Sequence, residues 1–104
     1  MSAEDVGTLS DYEEGVPRQL TLGGRVLVAV RLDGALYVLD DRCSHEEFSL
    51  SLGEVDIDSG EIECARHGAM FQLKDGQPSS FPATRPVAHY DVVREDGRLV
   101  VVVS

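Results

Sequence analysis

The chain lacks any run of the roughly 18 consecutive apolar residues that a membrane-spanning helix requires. Its first ten residues, Met1 to Ser10, are acidic and lack the apolar centre of a secretory signal, so a cytoplasmic protein is expected. Basic residues are scarce, with nine Lys and Arg against 19 Asp and Glu and a formal net charge of −10. A surface of that balance repels phosphate backbones and anionic headgroups alike, so neither nucleic acid nor a membrane is an expected partner. Cysteine is nearly absent, with only Cys43 and Cys64. Such a pair could form one disulfide in a secreted chain, an alternative that the acidic start disfavours. No segment carries a long 3.6-residue apolar period, and Ser10 to Gly15 allow at most one helical turn. No repeat, low-complexity tract or linker divides the 104 residues, and a single domain over 1–104 is expected.

What is present reads as antiparallel β-structure. Asp33-Gly34, Asp75-Gly76, Asp96-Gly97 and Gly23-Gly24 punctuate the chain between apolar runs, as tight hairpin turns with positive φ require. Strands are expected over Val16 to Leu22, Arg25 to Arg31 and Leu36 to Leu39, and near the C-terminus over Val87 to Arg94 and Arg98 to Val103, closing the sheet. A further strand, Gly60 to Glu63, leads into the second of two unusual boxes.

Those boxes are Cys43-Ser44-His45 and Cys64-Ala65-Arg66-His67, separated by the 18 residues from Glu46 to Glu63. Four donors of two kinds, on loops leaving strands, suit a site of two neighbouring metal ions that takes one Cys and one His from each box. The same donors would also serve a Cys2His2 zinc site, although one intervening residue in the first box is shorter than the usual two to four. A Cys nucleophile with a His base is a further alternative, for which two equivalent pairs and no orienting third group are a poor match. His89 falls in an expected strand, where a histidine is an ordinary packing or surface residue. From Asp40 to Glu63 nine acidic residues, Asp41 among them, face Arg42 alone. That run is either a solvated loop surface or a patch that steers a basic partner.

C-x-H followed by C-x-x-H resembles the Rieske iron–sulfur family. Similar to its ferredoxin branch are Cys43-Ser44-His45, Leu50-Ser51-Leu52-Gly53, Ile62-Glu63-Cys64, His67-Gly68 with Phe71, the Asp75-Gly76 turn, and Pro82-Ala83 with Pro86. The resemblance implies one [2Fe-2S] cluster per chain, with Cys43 and Cys64 on one iron and His45 and His67 on the other. It implies an all-β Rieske fold, an antiparallel β-sandwich base with an inserted cluster-binding subdomain over about 40–81. Gly68 would shape the backbone near the cluster, and Pro82 and Pro86 would stiffen a third loop over it.

By the same resemblance the chain is an electron carrier rather than an enzyme, a monomer passing electrons from a flavin-dependent ferredoxin reductase to the terminal oxygenase of a ring-hydroxylating dioxygenase system. A ferredoxin serving iron–sulfur cluster assembly is an alternative client. So is a non-electron-transferring module like the small subunit of nitrite reductases, whose members commonly lack the ligands retained here. In the high-potential branch two extra cysteines bridge the cluster loops, and Phe48 and Arg66 stand at those positions here. Where that branch places Ser and Tyr hydroxyls on the cluster sulfurs, this chain has Ala69 and Phe71, which donate nothing. A potential near the low end of the span of roughly −150 to +300 mV is expected.

Overall fold

Four consecutive apolar residues, Leu27 to Val30, break the alternation of a strand with one wet face, and all four are fully buried. The computed structural model, which describes residues 2–42, 49–64, 68–79 and 86–103, shows why. Its strands are β1 (Ser2–Gly7), β2 (Arg18–Leu22), β3 (Arg25–Leu32), β4 (Ala35–Asp40), β5 (Val55–Asp56), β6 (Glu61–Glu63), β7 (Met70–Gln72), β8 (His89–Tyr90), β9 (Val92–Glu95) and β10 (Arg98–Val103). They form three sheets, ordered β1-β10-β9, β2-β3-β4-β8 and β5-β6-β7, and every ladder is antiparallel.

The run from Leu27 to Val30 lies in the middle sheet, which is covered on both faces. One face of β3 and β4, through Leu27, Ala29, Leu36 and Val38, meets Leu99 and Val101 of β10 together with Tyr12. The other, through Val28, Val30, Leu32 and Leu39, meets Leu50, Ile62, Cys64, Ala69, Phe71, Leu73 and Val87. Period-two alternation thus sends successive side chains into two separate cores. The first core closes a sandwich base, and the second carries the small sheet β5-β6-β7. This is the all-β, antiparallel architecture expected.

The turn chemistry holds for three of the four pairs. Asp33 and Gly34 have φ of 51° and 77°, and Asp96 and Gly97 have 49° and 79°, both residues left-handed as a type I′ hairpin requires. Gly23 and Gly24 behave alike, at 56° and 80°. In Asp75-Gly76 only Gly76 is left-handed, at 73°. A Cβ there would fall 2.0 Å from the carbonyl oxygen of Val87, whose N–H donates to the Gly76 carbonyl at 2.9 Å.

Two expectations are corrected. Val87 to Arg94 is not one strand: β8 pairs with β4, β9 pairs with β10, and Asp91 marks the break between the two sheets. Nor does β10 close the middle sheet. It lies between β9 and β1, a strand whose acidic sequence showed no β-pattern and which is held through backbone pairing of Ser2 to Gly7 with Leu99 to Val103. Among the described residues there is no α-helix, only single 3₁₀ turns at Leu9–Asp11 and Leu50–Leu52. No helix of the described residues is long and apolar enough to cross a membrane.

Candidate metal centre

Strand β6 is the three-residue middle strand of the small sheet. Ile62 pairs with Val55 of β5 on one side and with Phe71 of β7 on the other, and its side chain is fully buried. Two residues on, Cys64 is also fully buried, in the apolar group that holds Leu50, Ile62, Ala69 and Phe71. The N–H of Cys64 donates to the carbonyl of Ala69 at 2.7 Å, and the N–H of Gly68 donates to the carbonyl of Cys64 at 2.9 Å. These two bonds join Gly68 and Ala69 to Cys64. Gly68 takes a φ of 73°, which is the backbone role expected for a glycine there.

Of the four expected donors, Cys64 is the one among the described residues. Cys43, His45 and His67 lie outside them, as do Phe48, Arg66 and Pro82. The surroundings of Cys64 fit an iron–sulfur cluster: a soft sulfur donor follows β6 and is buried against an apolar wall. Ala69 and Phe71, both fully buried, form part of that wall. Pro86 is exposed. His89 is exposed on β8 and pairs through its backbone with Leu39, as expected of a surface histidine.

Sequence reasoning missed the contacts that brace the segments carrying the donors. Asp41, expected within an acidic surface, is only 5% exposed. Its Oδ1 accepts the N–H of Ser51 at 2.6 Å. Its Oδ2 accepts the Ser51 hydroxyl at 2.8 Å and the side-chain amide of Gln19 at 2.6 Å. The two ends of the segment containing Cys43 and His45 are thereby tied together. Past Ser51, Gly53 lies directly on the backbone of Glu63, and the N–H of Glu63 donates to the carbonyl of Glu54 at 2.8 Å. The exit of the first box is thus fastened to the approach of the second. Nothing in the local pattern separates Asp41 from Asp40, since the partners come from elsewhere in the chain.

The other acids divide by role. Asp40 accepts the Tyr90 hydroxyl at 2.6 Å. Burial of the phenol, and then that bond, push the Tyr90 hydroxyl above its ordinary value. Asp56 accepts the N–H groups of Asp58 and Ser59 in its own turn, and Glu61 accepts the Ser79 hydroxyl. Among the described acids of the run, Glu54, Asp56 and Asp58 are exposed and can face a partner.

Residues 3–91 match the model of the family described as Rieske [2Fe-2S] domain. The 3-phenylpropionate/cinnamic acid dioxygenase ferredoxin subunit of Photorhabdus laumondii subsp. laumondii is 35% identical over 104 residues, spanning 100% of this chain and 97% of the relative. Among solved structures, the ferredoxin of carbazole 1,9a-dioxygenase from Nocardioides aromaticivorans IC177 superposes with a TM-score of 0.92 at 33% identity, covering 97% of each chain. A structure described as a complex of reduced oxygenase and oxidized ferredoxin in carbazole 1,9a-dioxygenase contains a similar chain, with a TM-score of 0.87 at 32% identity over 95% of this chain and 91% of that one.

Proposed function

This chain belongs to the Rieske [2Fe-2S] family, and from that premise we propose that it is a ferredoxin delivering single electrons to a terminal oxygenase, with its cluster held by Cys43, His45, Cys64 and His67. Residues 1–104 act as one domain in this reading. A flavin-dependent reductase is the donor, following the ferredoxins that the sequence resembles.

When bound, the cluster supplies a one-electron couple, and two imidazoles in place of thiolates make it easier to reduce than an all-cysteine centre. The protein's own work is positional. Cys64 offers its thiolate from the buried side, where Leu50, Ile62 and Phe71 exclude water. The Asp41 and Gly53 contacts hold the first donor segment against the second. A preformed site of this kind limits rearrangement when charge arrives.

The observation that carries the reading is the near-complete overlap with a ferredoxin solved together with an oxygenase, at a TM-score of 0.87 over 95% of this chain. The test is anaerobic purification followed by absorption and electron paramagnetic resonance (EPR) spectroscopy, then electron transfer from a flavin reductase to a ring-hydroxylating oxygenase. The expected product is a coloured protein with two irons per chain, whose reduced form has the low average g-value of His-ligated centres, and which passes electrons on. A colourless protein with stoichiometric zinc would overturn the proposal.

A further inference from the structure

A buried carboxylate needs donors on both oxygens, since an unsatisfied one loses its hydration without replacement. Asp41 has three donors, from two places in the fold. Ser51 supplies a main-chain N–H to Oδ1 and its hydroxyl to Oδ2, while Gln19 supplies its amide N–H to Oδ2 from β2. A main-chain N–H and a carboxamide NH₂ can only donate, so each oxygen faces a group with no acceptor to offer. Acceptance on both sides is what a carboxylate anion provides. Asparagine has a single oxygen and serves one side of this fork.

The main chain of Asp41 is fixed as well, its N–H donating to the carbonyl of Val26 at 3.0 Å. The carboxylate therefore projects from the end of β4, anchored to β3, and Ser51, ten positions further on, is bonded to it. Between the two lie Cys43 and His45.

We infer that Asp41 is the positioning residue of the metal centre, tying Asp41 and Ser51, the two ends of the stretch in which Cys43 and His45 lie, to each other and to Gln19 of β2. The inference rests on the proposed ligand set. Loss of the clamp frees the Ser51 end of that segment, the Asp41 end staying bonded to Val26 through its main chain, so the centre is released more readily and its ligand geometry changes. The fixed negative charge also opposes uptake of an electron nearby, so removing it raises the midpoint potential.

The test compares wild type, Asp41→Asn, Asp41→Ala and the double variant Gln19→Ala/Ser51→Ala, each purified with its cluster. The readouts are the rate of iron transfer to a chelator, the midpoint potential, and the EPR g-values. Asp41→Ala is expected to release iron at least tenfold faster, with shifted g-values. Asp41→Asn, which keeps the shape and one acceptor, releases it at an intermediate rate and has a raised potential. The double variant removes both side-chain donors to Oδ2 and keeps the Ser51 N–H to Oδ1, and it decides the matter should Asp41→Ala fail to fold; at least threefold faster release is expected. Wild-type release and an unmoved potential in every variant that folds would overturn the inference while leaving the iron–sulfur reading intact. A wild-type protein that holds no iron would sink both.

Discussion

Gly53 rests directly on the backbone of Glu63: a Cβ at position 53 would lie 1.7 Å from the Glu63 carbonyl oxygen and 2.9 Å from its carbon. Its φ of −88° is open to any residue, so close approach rather than backbone conformation requires glycine here. Cys64 follows Glu63, and Gly53 follows the turn that Asp41 holds. The contact joins the two parts of the chain from which the donors come.

Gly53→Ala is therefore expected to destabilise the protein by about 3 kcal/mol or more, because backbone, not a flexible side chain, must give way. It should also lower the iron content. Gly24→Ala is the control: nothing lies within 4 Å of its Cβ position, and it carries only the left-handed penalty of about 1–2 kcal/mol. Urea denaturation of both variants checks the difference, and equal costs would show that the Glu63 contact is unimportant.

Ala69 and Phe71 line the buried wall beside Cys64 without a side-chain donor. Ala69→Ser and Phe71→Tyr each introduce a hydroxyl that can favour the more negative, reduced centre. A bond worth about 1.4 kcal/mol more to the reduced form moves a one-electron midpoint up by about 59 mV. Protein-film voltammetry measures this directly. An unmoved midpoint in both variants would mean that neither hydroxyl reaches the centre.

Strand β1 is tied to β10 at the surface by Asp5 and Arg98, with Nε to Oδ2 at 2.7 Å. The Arg98 hydrogen bond, and then the N–H of Gly7, hold the Asp5 carboxyl below its ordinary 3.8. A carboxyl depressed in the folded state adds stability above its unfolded value and loses it as pH falls through the folded one. The tie is thus complete at neutral pH and is lost in acid, below 3.8. A carboxyl-carbon nuclear magnetic resonance titration should find Asp5 low in wild type and higher in Arg98→Leu. The same midpoint in both would refute the pairing.

Exposed Glu54, Asp56 and Asp58 leave an acidic surface beside the small sheet that carries Cys64, on a chain of net charge −10. Association with a basic partner should slow as salt rises, since the Debye length falls from about 10 Å at 0.1 M to about 3 Å at 1 M. Glu54→Lys with Asp58→Lys should slow it further at low salt, as seen by stopped-flow electron transfer to the oxygenase. Rates indifferent to both changes would remove these acids from docking. Asp41, being buried, has no part in this effect.

Local chemistry was legible in the order of residues alone. A left-handed pair such as Asp33-Gly34 or Asp96-Gly97 is specified by two adjacent residues, because φ is a property of the residue itself. The two Cys/His boxes are likewise short spacings, and with Leu50 to Gly53 and His67-Gly68 they carried the family resemblance. Strand β10 was read with the bounds it has, since its β-branched density needs no partner to be recognised.

Tertiary structure decided the rest, because it joins groups that no local pattern links. The acidic strand β1 exists through backbone bonds to a strand almost the whole chain away, where side-chain character says little. The break at Asp91 follows from two sheets competing for one stretch of residues. Asp40 and Asp41 are the same residue type side by side, and sequence cannot rank them. Only the arrival of Gln19, 22 positions before, and Ser51, ten after, makes one of them a buried clamp. Burial and hydrogen bonding are set by what converges in space, and convergence is a property of the fold.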